Sequence, residues 1–159
     1  MKNLNTYIQE NTCVNEKLVI VHKKSYSCAP QTREELRQII KERIEDDPNA
    51  DLNDIDVSNI TDMSELFLDL NPYNIDVSQW DVSNVKDMKD MFYSCEKFNS
   101  DLSAWDVSNV ENMCCMFSWC KNFNSDLSKW DVSKVEDMRS MLYGCDSMKE
   151  LPEWYVNHR

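Results

Sequence analysis

The sequence predicts an α/β repeat protein, a short solenoid with parallel strands and with one strand and one short helix per repeat, preceded by an N-terminal α/β cap. The triplet Asp-Val-Ser recurs with a period of 25 residues, beginning at Asp56, Asp81, Asp106 and Asp131. Within each repeat the apolar spacing changes from two residues to three or four. The chain of 159 residues, 42% hydrophobic, can bury one core. A single repeat is too short to bury its own apolar residues, so neighbouring repeats must stack.

The first 48 residues do not repeat, and we expect them to form a cap of helix, strand and helix ahead of a repeat domain at 49–159. Leu4, Tyr7 and Ile8 share one face of the first predicted helix, and residues 18–21 are typical of a buried strand. Thr32 and Glu35 form a capping box that begins the second helix. The apolar residues of that helix are Leu36, Ile39, Ile40 and Ile44.

The junction of the second and third repeats illustrates the predicted strand and helix. Residues 105–108 alternate between apolar and polar side chains as a short strand does. Ser108 or Asn109 can cap a following helix, whose apolar stripe is Val110, Met113, Met116, Phe117 and Cys120. The recurring Asn74, Asn99 and Asn124 favour a left-handed or side-chain-bonded turn. At the end of the chain, Pro152 is expected to stop strand pairing, and Trp154 and Tyr155 to cover the last repeat.

The repeat motif W-D-V-S-N-V-x-D-M-x-x-M-F, followed by C and F-N-x-D-L-S-x-W, resembles the repeats of BspA-like leucine-rich-repeat surface proteins, a group that includes mycoplasma lipoprotein repeats. The resemblance covers residues 49 to about 155. It implies a right-handed solenoid of leucine-rich-repeat type, cell-surface placement, and a role in adhesion or protein binding. It implies no catalytic residues.

Composition argues against the common enzyme classes and against nucleic acid as a ligand. Gly144 is the only glycine, which excludes the P-loop, the dinucleotide fingerprint and the nucleophile elbow. The two histidines, His22 and His158, provide neither a zinc cluster nor a Ser-His-Asp triad. Residues 49–159 hold the whole net charge of −12, which would repel phosphates. We therefore expect no catalytic, cofactor or metal site.

Two residue sets have a structural interpretation beside a functional one. Cys95, Cys120 and Cys145 occupy the repeat position of Leu70, which favours buried apolar packing over a metal or redox role for them or for the adjacent Cys114 and Cys115. The four Asp residues that begin the repeats are expected to accept hydrogen bonds in a structural ladder, and calcium binding and partner contact are the competing interpretations. The cysteines are expected to be reduced, because their number is odd and no export signal is visible.

Positions that vary between repeats are the better candidates for partner binding, because a stack constrains them less. On the strand side these are Asp54, Gln79, Ala104 and Lys129, beside Asp81 and Asp106. On the helix side the most variable residues are Tyr93, Trp119, Tyr143, Lys89, Asp90 and Arg139. Trp119 is selected among them because exposed aromatic side chains often anchor interfaces.

The sequence thus predicts a non-enzymatic protein-interaction or adhesion module, a monomer that presents an acidic surface to a basic or polar protein partner. The principal alternative is an acidic inhibitor that imitates nucleic acid, for example one encoded by a virus. Two further hypotheses are an enzyme that uses Cys114 and Cys115 and a calcium-dependent adhesin. No apolar run reaches signal-peptide or membrane-spanning length, which favours the cytoplasm and argues against a membrane as partner.

Overall fold

The computed structural model describes residues 26–70 and 72–157, and within them it contains two helices and no strands. The first helix, α1, spans Arg33–Asp46, and the second, α2, spans Glu153–Val156. The predicted α/β solenoid of leucine-rich-repeat type, with a strand and a helix in each repeat, is therefore wrong. Residues 49–70 and 72–152 form turns and bends joined by isolated parallel bridges.

Helix α1 confirms the predicted capping box. The side chain of Thr32 accepts a hydrogen bond from the N–H of Glu35 at 3.1 Å, and Glu35 accepts one from the N–H of Gln31 at 2.8 Å. Leu36, Ile40 and Ile44 are buried. The expected helix at Leu4, Tyr7 and Ile8 and the expected strand at 18–21 lie outside the described residues, so the division at residue 48 stays a prediction.

Left-handed backbone prevents the repeat helices. Each repeat has two residues with positive φ, four positions apart, such as Cys115 at 55° and Trp119 at 65° in the third. A right-handed helix cannot continue through such residues. The same positions in the other repeats hold Glu65 and Asp69, Asp90 and Ser94, and Ser140 and Gly144. Of the two alternatives predicted for Asn74, Asn99 and Asn124, the left-handed one is wrong, because positive φ is confined to these eight residues in the described chain. A side-chain bond is present at Asn99, whose Oδ1 accepts from the N–H of Asn124 at 3.0 Å.

Local hydrogen bonds replace the predicted strands. At 105–108, the N–H of Ser108 donates to Oδ1 of Asp106 at 3.1 Å, and a tight turn joins the N–H of Val110 to the carbonyl of Val107 at 2.9 Å. Asp side chains that bond the backbone two residues later compete with ladder pairing. Ser108 and Asn109 therefore cap no helix, and Asn112 likewise accepts from the N–H of Cys114.

The repeats nevertheless stack in register. We call residues 63–70, 88–95, 113–120 and 138–145 the turn segments. In the third, the N–H groups of Met113, Cys115, Phe117 and Trp119 donate to carbonyls of the fourth at 2.7–3.0 Å. The intervening N–H groups close turns inside the segment, as the N–H of Ser118 does on the carbonyl of Cys115. Between turn segments, the donors of one repeat thus bond to the acceptors of the next.

Aromatic side chains repeat in the core. The indole N–H groups of Trp80, Trp105 and Trp130 donate to the carbonyls of Leu52, Val77 and Leu102 at 2.9–3.1 Å. The rings of Phe67, Phe92 and Phe117 stack, with centroids 4.9 and 5.6 Å apart. Because these side chains are buried, each repeat covers the apolar surface of its neighbour.

The two ends of the stack are covered differently. At the first turn segment, the guanidinium of Arg37 donates to the carbonyls of Glu65, Leu66 and Leu68 at 2.6 Å each. At the last, the hydroxyl of Tyr155 accepts from the N–H of Leu142 at 3.4 Å, and the indole of Trp154 donates to the carbonyl of Leu127. The predicted covering of the last repeat by these two aromatics is confirmed.

Candidate functional site

The variable column, Asp54, Gln79, Ala104 and Lys129, contributes one residue per repeat beside the buried residue that follows it. Ala104 and Lys129 are exposed and line one shallow groove of about 590 Å³, together with Asp101 and Asp126. Gln79 is exposed. Asp54 differs from the other three because its carboxylate is 2.8 Å from the guanidinium of Arg43. That carboxylate is engaged within the chain.

The predicted contact residues Asp81 and Asp106 are exposed, and each stabilises its own turn. Oδ1 of Asp81 accepts from the N–H of Ser83 at 3.1 Å and from its hydroxyl at 2.6 Å. Oδ1 of Asp106 accepts from the N–H of Ser108 at 3.1 Å. One oxygen of each carboxylate is thus committed to the backbone, as the structural ladder requires.

The acidic surface carries firmly ionised carboxylates. The N–H of Ser103 donates to Asp101 at 3.0 Å, and the N–H of Ser128 donates to Asp126 at 2.9 Å. These backbone hydrogen bonds, followed by those of the serine side chains, lower the pKa of both carboxyls. Hydrogen bonds from Ser108 lower the pKa of Asp106 in the same way. The surface therefore keeps its negative charge at neutral and mildly acidic pH.

Trp119 is 41% exposed although its backbone is left-handed, with φ at 65°. A bulky side chain in this conformation is uncommon and costs free energy. The equivalent positions hold Asp69, Ser94 and Gly144, so the stack itself does not require an aromatic residue here. A strained, exposed tryptophan that the core does not use is a candidate for recognition.

Tyr143 of the next repeat completes what we call the aromatic pair, Trp119 and Tyr143. The ring centroids are 5.0 Å apart at 88°, and Tyr143 is 57% exposed. Gly144 allows this placement, because a Cβ atom there would lie 2.8 Å from Cε3 of Trp119. Residue spacing did not predict the pair, although one sequence signal marks it: the only glycine of the chain lies one repeat after the tryptophan.

The cysteines pack as predicted at the repeat position of Leu70. Cys95, Cys120 and Cys145 are buried, and the thiols of Cys120 and Cys145 donate to the carbonyls of Phe92 and Phe117 at 2.9 and 3.1 Å. Burial raises the pKa of Cys95 and of Cys145 to about 12. These thiols stay protonated at neutral pH, which makes them poor nucleophiles and poor metal ligands.

Cys114 and Cys115 are partly buried, with their Sγ atoms 3.6 Å apart. Burial, followed by the neighbouring Cys115, raises the pKa of Cys114 to about 11. Within the described residues, no group of three or more His, Cys, Asp or Glu side chains is arranged to hold a metal ion. The geometry thus offers an acidic surface and an aromatic pair as binding features.

A family model described as "Mycoplasma protein of unknown function, DUF285" matches residues 34–154, from the first turn of α1 to Trp154. This protein belongs to the DUF285 family. The match includes all four repeats, the aromatic pair and the arginine that covers the first turn segment. No curated protein and no solved structure matches the chain. In the part of this DUF285 protein that the structure describes, neither helix is long and apolar enough to cross a membrane.

Proposed function

We propose that this DUF285 protein is a non-enzymatic protein-interaction module that binds a basic or polar partner protein through its acidic repeat surface, with the aromatic pair as anchor. The observation that carries the proposal is the exposed, left-handed Trp119. Aromatic side chains of this kind supply much of the free energy of many interfaces. The resemblance of the repeat motif to BspA-like surface proteins supports binding or adhesion as the activity.

Charge supports a basic partner. The net charge of −12 attracts cationic surfaces over distances of about 10 Å. The indole face of Trp119 suits an arginine or lysine side chain, through a cation–π contact of about 0.5–1 kcal/mol at an exposed site. Within the chain, Lys97 makes such a contact on Tyr73, with Nζ 3.3 Å from the ring centroid.

The substitution Trp119→Asn tests the proposal. Asparagine tolerates left-handed φ, so relief of strain offsets the lost contact with Tyr143, and we expect a stability within about 1 kcal/mol of the wild type. Binding of the cognate partner should fall at least tenfold if the indole anchors the interface. Quantitative affinity capture from native host cells, followed by titration of the purified partner, measures the loss.

Tyr73→Asn provides the matched control. Tyr73 is also an exposed aromatic residue, but its ring already contacts Lys97 of the same chain. The control should bind as the wild type does. A second arm replaces Ala104 and Lys129 by Arg and Glu, which alters the shallow groove without changing a buried residue. If binding survives Trp119→Asn and is lost in this second variant, the anchor lies in the variable column instead.

An acidic inhibitor that imitates nucleic acid is the second candidate, since firmly ionised carboxylates recur at repeat spacing, Asp101 with Asp126 and Asp106 with Asp131. That function predicts a captured partner that itself binds nucleic acid. DNA added in competition would then release the partner, with a steep dependence on salt. Capture that DNA does not reverse favours general protein binding.

A further inference from the structure

The last turn segment has unused backbone hydrogen-bonding groups. Within the described residues, the N–H groups of Met138, Ser140 and Gly144 have no acceptor, and the carbonyl of Glu136 has no donor. We call the backbone of residues 136–140 the open edge. The hydroxyl of Tyr155 accepts from the N–H of Leu142, which lies outside residues 136–140. Unpaired edges of this kind are templates for another polypeptide segment.

The junctions inside the stack specify what fits this edge. At the equivalent place one repeat earlier, the carbonyl of Glu111 accepts from the N–H of Glu136 at 2.7 Å, and the N–H of Met113 donates to the carbonyl of Asp137 at 2.7 Å. The N–H of Cys115 then donates to the carbonyl of Arg139 at 2.9 Å. An added segment that runs parallel would repeat these three bonds on Glu136, Met138 and Ser140.

The space for such a segment is present. A groove of about 1030 Å³ runs along the open edge and is lined by Val135, Met138, Tyr143 and Tyr155 among others. Val135 and Met138 are only partly buried, so the groove has an apolar floor. A segment that pairs with the open edge can therefore also bury the apolar floor of the groove.

A second copy of this chain cannot supply the segment in its folded form. In a copy stacked in the same register, the carbonyls of Asp62 and Ser64 would face Met138 and Ser140, and those of Leu66 and Leu68 would face Leu142 and Gly144. Arg33 donates to the carbonyl of Ser64 at 3.3 Å, and Arg37 donates to those of Leu66 and Leu68 at 2.6 Å. Both arginines would have to be displaced, so the occupant is an extended segment of a different protein.

Charge indicates one side chain of that segment. Lys86, Glu111 and Glu136 occupy the same position in successive repeats, and Nζ of Lys86 lies 3.7 Å from Oε1 of Glu111. Glu136 is exposed, and its neighbour in the preceding repeat is the like-charged Glu111. A lysine or arginine in the added segment would take the place that Lys86 has beside Glu111.

We propose that the open edge binds an extended segment of a partner protein, which adds in parallel to the last turn segment with a basic side chain beside Glu136 and an apolar one over Met138. The open edge does not include Trp119, although Tyr143 of the aromatic pair lines the same groove. The tests below measure the backbone amides of the edge, so their outcome does not depend on partner binding by Trp119. The mode of binding is backbone addition at an edge, with side chains providing selectivity.

A capped peptide with the sequence of residues 84–92, NVKDMKDMF, is the probe, because this segment makes the same three bonds on the first repeat. Titration of the ¹⁵N-labelled protein, followed by amide hydrogen exchange, should show slower exchange at Met138 and Ser140. The amide of Gly144 should not change, since the peptide ends before the residue that would reach it. No slowing at Met138 and Ser140 with millimolar peptide would overturn the proposal.

A charge exchange tests the basic side chain. Glu136→Lys should weaken the peptide about two- to fivefold, the range expected for an exposed ion pair, and Lys86→Glu in the peptide should restore the affinity. Glu42→Lys, on the exposed face of α1, makes the same charge change away from the edge and should leave binding unchanged. Equal weakening by both variants would refute the contact at Glu136. Protection of the same amides by self-association, seen as a mass that rises with concentration, would refute the choice of occupant.

Discussion

At the scale of single residues, aspartate side chains shape this protein by bonding to the backbone two positions later. Asp137 is the most strongly perturbed of them. Its Oδ2 lies 2.6 Å from the guanidinium of Arg139, whose backbone N–H donates to Oδ1 at 3.0 Å. Hydrogen bonds from the Arg139 side chain, then from its N–H, lower the pKa of Asp137 to about 2. The ionised carboxylate therefore stabilises its turn more than the protonated carboxyl would.

This pair gives a pH prediction. Because the pKa of Asp137 is lower in the folded chain than the ordinary value of about 3.9, its contribution to stability is complete above about pH 4 and is lost as the pH falls towards 2. Arg139→Gln removes the guanidinium and should raise the pKa of Asp137 towards about 3.9, so the contribution is lost at higher pH. Carboxyl ¹³C titration by NMR measures the shift. Lys149→Gln serves as the control, and an unchanged pKa in Arg139→Gln would contradict the assignment.

Which residues lie in the core could be predicted from the sequence, whereas the sign of the backbone angle φ could not. Exchange of Leu70 for cysteine in later repeats correctly indicated burial, because both side chains are apolar and of similar size. Left-handed φ occurs at Glu65, Asp90 and Cys115, which share no residue type that favours it. In these repeats the conformation follows from the hydrogen bonds of the stack, and single-residue preferences do not show it.

At the scale of elements, α1 was predictable because its start signal and its apolar spacing are both local. The repeat elements were not, because Val110, Met113, Met116 and Phe117 have the same spacing in a helix and in a series of tight turns. Tight turns form instead of a helix because alternate N–H groups bond to the next repeat and not to a carbonyl four residues earlier. That choice depends on contacts 24 residues away in the chain and is invisible in any local window.

The role of α1 as a cover leads to an element-scale prediction. Arg37→Ala removes three charge-assisted hydrogen bonds from the first turn segment, which should lower the free energy of unfolding by about 1.5–3 kcal/mol. Arg37→Lys should be intermediate, since an ammonium cannot bridge the same carbonyls. Urea denaturation measures both. The control is Lys41→Ala, an exposed change on the same helix, and a loss no larger than in this control would show that the cover contributes little.

At the scale of the whole molecule, stability is shared between repeats, because no repeat buries its aromatic residues alone. Phe92 stacks on Phe67 on one side and on Phe117 on the other, and its ring centroid is 4.0 Å from that of Phe98. Its position in the last repeat is occupied by Leu142, so the backbone there accepts leucine. Removal of the Phe92 ring should therefore destabilise both neighbouring repeats.

Phe92→Leu tests this coupling. Loss of ring contacts on both sides should lower the free energy of unfolding by about 1–3 kcal/mol. Phe67→Leu should cost less, since Phe67 has a stacked phenylalanine on one side only. Because the repeats share one core, both variants should still unfold in a single transition, with tryptophan fluorescence and circular dichroism coincident. A separate early transition, or equal losses in the two variants, would show that the repeats unfold independently and that the stacked rings do not transmit stability along the chain.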